Sequence, residues 1–171
     1  MRLLRSSIHS DITDLSGSVF TRKAARGIVL KGENILLLYT ERYHDYTLPG
    51  GGIDKGESHI EGLIRELLEE TGAHSITNIR EFGRYEEYRP WHKEGFDIVH
   101  MKSYCYLCDI DSQLKSTNLE TYEIQNGMTP VWKNIHKAIE HNENTMLRSP
   151  KKGLSIERET FLLKQIVEEL L

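Results

Sequence analysis

The chain predicts an α+β fold, a mixed sheet layered between helices, and three stretches carry that prediction. In "GIVLKGENILLLY" two β-rich runs, Gly27 to Leu30 and Ile35 to Tyr39, flank Lys31-Gly32-Glu33-Asn34, whose glycine and asparagine suit a hairpin turn. In "SHIEGLIRELLEETGA" apolar residues recur at helical spacing from Ser58 to about Thr71. Downstream, "ITNIREFGRYEEY" and "FDIVHMKSYCYLCDI" are rich in β-branched and aromatic residues, and an amphipathic segment closes the chain. A chain of 171 residues fits one domain, here residues 1–171, and is long enough to bury a core without disulfides or a structural metal.

Each element has a local reason. The segment Tyr43 to Lys55 is dense in Gly and Tyr, and Pro49 fixes the backbone ahead of Gly50, Gly51 and Gly52, so an ordered loop is expected there. Ser58 followed by Glu61 is a capping-box pattern, and Gly72 is placed to end the helix. The polar stretch "RPWHKEG" separates the two later strands. Pro130-Val131-Trp132 reads as a short strand, after which Asn134 caps a helix to about His141. Beyond the Pro150-Lys151-Lys152-Gly153 break, Ser155 opens a last helix to Leu171, with Phe161, Leu162, Ile166 and Leu170 on one stripe.

Composition narrows the function classes. Lys plus Arg number 22 against 26 Asp plus Glu, a net charge of -4, with no basic tail or stripe. Gripping a nucleic-acid polymer needs clustered phosphate-neutralising side chains, so that role is not expected, whereas a small anionic ligand needs only a local basic pocket. The opening "MRLLRSSIHSDITD" holds too short an apolar run for a signal segment or a membrane span, which points to a cytoplasmic protein without membrane partners. Cys105 and Cys108 have CxxC spacing, but no second ligand pair follows, and a strand would send their side chains to opposite faces. They are expected to be two strand cysteines in a reducing compartment.

The chemistry concentrates at "PGGGIDKGESHIEGLIRELLEETGA". At about 100° per residue, Glu66, Glu69 and Glu70 fall within one arc, beside an apolar arc of Ile60, Leu63, Ile64, Leu67 and Leu68. Like charges at that spacing repel by roughly 0.2–0.5 kcal/mol per exposed pair, and a bound cation reverses the sign. Mg²⁺ favours one or two carboxylates together with water and substrate phosphates, which three glutamates beside a close-approach glycine loop supply. An ion pair from Arg65 to Glu57 or Glu69 would brace the loop against the helix and aim the ligands.

The full arrangement, Gly51, five residues, Glu57, seven residues, then Arg65-Glu66-Leu67-Leu68-Glu69-Glu70-Thr71-Gly72-Ala73, resembles the signature box of the Nudix hydrolases at every defining position. The resemblance covers residues 51–73, with the preceding hairpin and the later Val131-Trp132 and helix also similar in layout. It implies an α/β/α sandwich with a mixed sheet, a catalytic loop-helix and a C-terminal helix. It also implies Mg²⁺- or Mn²⁺-dependent cleavage of the diphosphate linkage in a nucleotide, nucleotide sugar or dinucleotide. By the same resemblance Glu66, Glu69 and Glu70 hold the metal, with the Gly50 or Gly51 carbonyl, while Arg65 and Glu57 orient them. The general base is Glu66 first, then Glu123 in "NLETYEIQNG", with Glu120 close behind. Arg26 and Gly50 are placed near the phosphates, and Tyr46, Tyr43, Tyr88 and Trp91 are the aromatic residues that could stack a base, against the plainer alternative of packing. His44 and His92 fit surface imidazoles.

Two other readings differ in class. A regulatory module that binds a nucleotide without cleaving it would be expected to carry a degenerate box, and here every acid is present. Prenyl diphosphate isomerisation on the same fold would require a catalytic cysteine, and Cys105 and Cys108 lie on a strand. Tyr88 and Pro90 both fall where the family carries a substrate cue, so that cue does not choose a substrate. Oligomeric state is open, a homodimer included.

Overall fold

The computed structural model describes residues 1–91 and 95–171, and His92 of the sequence reading lies outside them. In chain order the elements are β1 (Leu3–Ile8), β2 (Val19–Ile28), β3 (Leu30–Lys31), β4 (Asn34–Thr40), β5 (Asp45–Thr47), α1 (His59–Thr71), β6 (Thr77–Pro90), β7 (Ile98–Asp109), α2 (Thr121–Gln125), β8 (Met128–Asn134), α3 (Ile135–Arg148) and α4 (Ile156–Leu170). One mixed sheet runs β1-β6-β7-β2, parallel at both outer pairs and antiparallel in the middle. The second is antiparallel: β4 pairs with β3 and β5, and also with β8.

Two cores show the layering. Leu63 and Leu67 of α1 pack with Ala25, Val29, Leu36 and Cys108. Leu162, Leu163 and Ile166 of α4 and Ile135 and Ala138 of α3 pack with Ile28, Ile35, Leu37 and Cys105. Strand parity sends neighbouring residues to opposite cores, which places the sheets between α1 and the α3–α4 pair. The α/β/α sandwich expected from the sequence is therefore present. Cys105 and Cys108 take opposite faces as expected, both buried and free, with burial pushing each thiol up to about 12.

Helix α1 carries both of its sequence signals. Ser58 Oγ accepts from the Glu61 amide at 3.2 Å, Glu61 accepts from the Ser58 amide at 2.8 Å, and Gly72 closes the helix at φ 68°. Its buried face is rotated from the expected one: Ile60 and Leu68 are 36% and 37% exposed, whereas Glu66 and Glu70 are buried at 9% and 4%. The acid strip is thus partly interior, because the glycine loop covers it.

Other elements depart from the sequence reading for identifiable reasons. Strand β2 starts at Val19, not Gly27, since Arg22 and Arg26 on one face hide its alternation. Helix α3 runs past His141 to Arg148, held there by polar anchors. Asn142 donates to the Tyr46 carbonyl and accepts from its amide, both at 2.9 Å, and Thr145 donates to the His44 carbonyl at 2.8 Å. Strand β5 lies within the expected loop, and β1 and α2 carry no strong local pattern. In α4 Leu163 is fully buried, while Leu170 is 36% exposed beyond the core.

Candidate active site

The residues before α1 are built onto β2. The amides of Ala25 and Gly27 donate to the carbonyls of Gly51 (3.0 Å) and Pro49 (2.8 Å), and the Ile53 amide donates to the Lys23 carbonyl at 3.1 Å. The glycine loop therefore runs as an added antiparallel segment, ordered as the sequence predicts. A Cβ on Gly51 would lie 2.5 Å from Glu66 Oε1, so glycine is what lets that carboxylate lie against the loop backbone.

A cleft of about 670 Å³ opens beside this loop. Alternate residues of β2 put Arg22 and Arg26 on it; β6 adds Arg89 and α4 adds Arg158. Against these cations α1 contributes Glu66 and Glu70, and the α2 region contributes Glu120 and Glu123. Arg26 also donates to the Gly50 carbonyl.

Glu70 Oε2 accepts from the Gly50 amide at 2.5 Å. Burial pushes the Glu70 carboxyl up to about 8, with Glu66 and Glu123 adding and the Gly50 amide and Arg26 opposing. Glu66 is also raised, chiefly by burial and against the pull of Arg65. Glu123 is 4% exposed; its oxygens accept from the Glu120 amide at 2.7 Å and from the Tyr122 hydroxyl at 3.0 Å.

Arg65 stands at the rim. Its Nε donates to Glu57 Oε1 at 2.9 Å, Nη1 to Glu66 at 2.8 Å and Glu69 at 3.3 Å, and Nη2 to the Gly52 carbonyl at 2.9 Å. These bonds raise the Arg65 pKa further, the Glu57 bond foremost, and the same pairing lowers Glu57. Arg65 thus bridges loop and helix, as a brace would.

The sequence-predicted residues separate accordingly. Glu66, Glu70, Glu123, Arg26, Gly50 and Gly51 share the cleft, with Arg65 at its edge. Glu57 and Glu69 belong to the Arg65 fork. The Gly51 carbonyl is engaged by Ala25, and the Gly50 carbonyl by Arg26. Among the described residues no group of three or more His, Cys, Asp or Glu is positioned to hold a metal ion. The donors nevertheless fit a hard divalent cation: they are carboxylates, two are buried at the cost of their charged form, and Glu70 has no ion-pair partner among the described residues, while Glu66 pairs with Arg65 at 2.8 Å.

Tyr46 lies apart from the cleft. Its ring lies 5.1 Å from Tyr39 and 4.9 Å from His141, because β5 turns Asp45 and Thr47 to the cleft and Tyr46 to the other face. Tyr88 stacks on His100 at 4.1 Å, and His44 packs on His141 at 4.6 Å. Asp45 and Arg158 are cleft residues the sequence did not single out. Asp45 is 1% exposed, and neither carboxylate oxygen meets a hydrogen-bond partner from another residue among those described. Burial and Glu159 push it up to about 7, against Arg158. Only its place three residues ahead of the Leu48-Pro49 loop entry could have drawn attention to it.

A glycine loop on a strand and a box helix with interior acids, set in a mixed-sheet sandwich, define the class of domain: an α/β/α sandwich whose loop-helix lines the cleft. The family model of the NUDIX domain matches residues 21–149, and the chain belongs to the Nudix hydrolase superfamily. Among solved structures, a MutT protein from Bacillus halodurans superposes with a TM-score of 0.52 at 20% identity, over 74% of this chain and 78% of that one. A MutT structure from work on Aliivibrio salmonicida and Vibrio cholerae gives 0.55 at 18% identity, over 88% of this chain and all of that one. These likenesses show the fold. An RNA pyrophosphohydrolase of Bartonella quintana is 52% identical over 42 residues, 25% of this chain and 24% of that relative. One of Nitratiruptor is 51% identical over 43 residues, 25% and 28%. The chain thus spans about a quarter of the curated relatives it matches.

Proposed function

We propose that the chain is a divalent-metal-dependent pyrophosphohydrolase that cleaves the diphosphate linkage of a nucleoside diphosphate derivative by water attack on phosphorus. The observation that carries this reading is the meeting of Glu66, Glu70 and Glu123 with Arg22, Arg26, Arg89 and Arg158 in one cleft. Arginines supply fixed positive charge for phosphate oxygens, and a carboxylate group opposite them supplies metal ligation and proton acceptance. Membership of the superfamily and a short stretch of identity to relatives named RNA pyrophosphohydrolase support it.

Glu66 and Glu70 would hold the Mg²⁺ or Mn²⁺, with Glu69 joining by release from Arg65. Bound there, the ion would screen the diphosphate and acidify a water. Arg22 and Arg26, on one face of β2, bind and orient the phosphate chain. Arg65 holds Glu66 and the Gly52 carbonyl in fixed relation, so helix and loop keep their spacing. Glu66 is the preferred proton acceptor, because it lies in the cleft against the Gly51 backbone, beside the ion it would help to hold. Glu123, already accepting two hydrogen bonds, is the second. The intact acids weigh against a binding-only module, and two buried thiols raised to about 12 weigh against isomerisation through cysteine.

The test is phosphate release and product mass across a panel with Mg²⁺ or Mn²⁺: nucleoside triphosphates, a nucleotide sugar, a dinucleoside polyphosphate and a 5′-triphosphorylated RNA. Glu70→Gln and Glu69→Gln should keep the fold by circular dichroism and abolish metal-dependent turnover. Glu66→Gln should lower kcat by about 10²–10⁴-fold if it is the base, and by more than Glu123→Gln. Undiminished turnover in Glu70→Gln, or nucleotide binding without any product in the parent protein, would defeat the proposal.

A further inference from the structure

Strands β4, β5 and β8 give the cleft a second wall, of which the hydrolysis makes no use. Thr40 stands opposite Asp45 and Met128, and Leu38 opposite Thr47, so these five side chains share one face of the sheet. All five line the cleft. Asp45 is the charged member, 1% exposed, and neither of its carboxylate oxygens is hydrogen-bonded to another described residue. A carboxylate taken out of water without a partner is costly, and nearly every buried polar group in a folded protein has one. The partner of Asp45 is therefore to be sought in what enters the cleft.

What stands beside Asp45 narrows that partner. Arg158 also lines the cleft and is the cation that acts on Asp45. Its guanidinium carries five N–H groups; three hydrogen bonds go to Glu159 and Glu87, so two N–H groups have no acceptor among the described residues. The wall thus offers two adjacent acceptors, the Asp45 oxygens, next to a donor, with the apolar Leu38 and Met128 to flank a flat ring. Its complement is an edge of two adjacent donors next to an acceptor. Among the common bases only guanine presents that edge, in its 2-amino group, N1–H and O6; adenine, cytosine and uracil each turn a ring nitrogen or a carbonyl to the place of one donor. Asp45 is five residues ahead of Gly50, at most about 17 Å of chain, and Glu159 holds Leu48 between them through its amide at 2.8 Å. A nucleoside polyphosphate spans that distance.

We infer that Asp45 accepts the paired N–H donors of a guanine base, with Arg158 toward the base carbonyl, so that the substrate is a guanine nucleotide whose phosphates lie at the glycine loop. The inference rests on the hydrolase reading above and names the base which that reading leaves open. Asp45 is then a specificity-determining residue that touches no reacting atom. Two parallel charge-assisted hydrogen bonds fix the base in register. A site built to pair a substrate N–H rejects the analogue without it, because its own buried group is left bare.

Inosine triphosphate is the matched probe, because its base keeps N1–H and O6 and lacks only the 2-amino group. A hydrogen bond to a charged group is worth roughly 1.5–3 kcal/mol, which is about 10- to 150-fold. At pH 8, where a carboxyl that burial and Glu159 raise to about 7 is ionised, kcat/KM for guanosine triphosphate should exceed that for inosine triphosphate by about that factor. Asp45→Asn puts an amide N–H where one acceptor was. It should abolish most of the ratio by raising KM for the guanosine nucleotide, with turnover of inosine triphosphate changed far less, which also shows that the variant is folded. In both proteins 2′-deoxyguanosine triphosphate should behave as guanosine triphosphate does. Calorimetry with the non-hydrolysable imido analogues of the guanosine and adenosine triphosphates should show a preference for guanosine in the parent that is lost in Asp45→Asn. A parent ratio near one, a ratio that survives Asp45→Asn, an equal loss for both nucleotides, or a loss confined to discrimination between ribose and deoxyribose would overturn the inference. Guanine-selective binding without product would keep the base contact and defeat the hydrolase reading, so the two failures are distinguishable.

Discussion

Arg65 and Arg158 each gather carboxylates, under opposite conditions of solvation. Arg65 is 27% exposed at the cleft rim and shares Glu57, Glu66 and Glu69, whose side chains are 15%, 12% and 35% exposed. Arg158 is 3% exposed and binds Glu87 and Glu159, at 7% and 0%. The rim cluster meets water at Arg65 and Glu69, so the Glu69 pair can exchange at little cost while Glu66 is held inside. The interior cluster cannot do so: Glu159 Oε2 also accepts from the Leu48 amide at 2.8 Å, tying α4 to the entry of the glycine loop, while Glu87 ties it to β6. Identical ion-pair chemistry thus serves adjustment in one place and fixture in the other.

The largest effect should come from breaking the fixture. Removing one partner of a buried ion cluster leaves uncompensated charge and typically costs about 3–5 kcal/mol. Arg158→Met leaves Glu159 without its cation and Glu87 with only Arg89, 3.9 Å away, and with roughly 2–4 °C per kcal/mol for a domain of this size, Tm should fall by about 6–20 °C. Adding Glu87→Gln and Glu159→Gln should recover much of the loss. A thermal melt of Arg158→Met matching the parent would show that the cluster carries no stability.

Arg65→Ala should invert that pattern. Partly exposed ion pairs contribute about 0–1 kcal/mol, so Tm should move by only a few degrees. Because Arg65 holds Glu66 and the Gly52 carbonyl, turnover should fall about 10–100-fold, the usual cost of losing a group that aims metal ligands. A rise in the Mg²⁺ concentration needed for half-maximal rate would accompany it. Full activity in Arg65→Ala would remove the distinction between the clusters.

The rim cluster was legible in the sequence and the interior one was not, for a reason of distance. Glu57, Arg65, Glu66, Glu69 and Glu70 lie within one turn and helix, so helical spacing alone places them together. Arg158 and Glu87 are 71 residues apart, and nothing local marks either as a partner. The capping box and Gly72 set the ends of α1 correctly because caps are local chemistry. Helix α3 was read short because Asn142 and Thr145, its buried anchors beyond His141, look like surface residues in a hydropathy pattern. Tyr46 was assigned to the cleft because a three-residue strand inside a glycine-rich segment offers no alternation from which to read its face. Asp45 was missed on the same ground, since its parity with Thr47 exists only once β5 is paired to β4.

Asp45 lies beside the interior cluster and gives the smallest and most pH-dependent prediction. Burial and Glu159 raise its carboxyl to about 7, with Arg158 pulling the other way. An unfolded aspartate titrates near 3.9, so between about pH 4 and pH 7 the folded state binds more protons than the unfolded chain. Stability contributed by this group therefore falls as pH rises through that window and levels off above it. Asparagine keeps the shape and cannot ionise. Asp45→Asn should accordingly melt above the parent protein at pH 8, with the gap shrinking toward pH 5 by about 1–2 kcal/mol, or roughly 2–8 °C in Tm. The melts belong in chelator, so that metal binding at Glu66 and Glu70 does not contribute. A gap independent of pH would mean that Asp45 stays charged in the folded protein, and Arg158 would then be compensating three carboxylates instead of two.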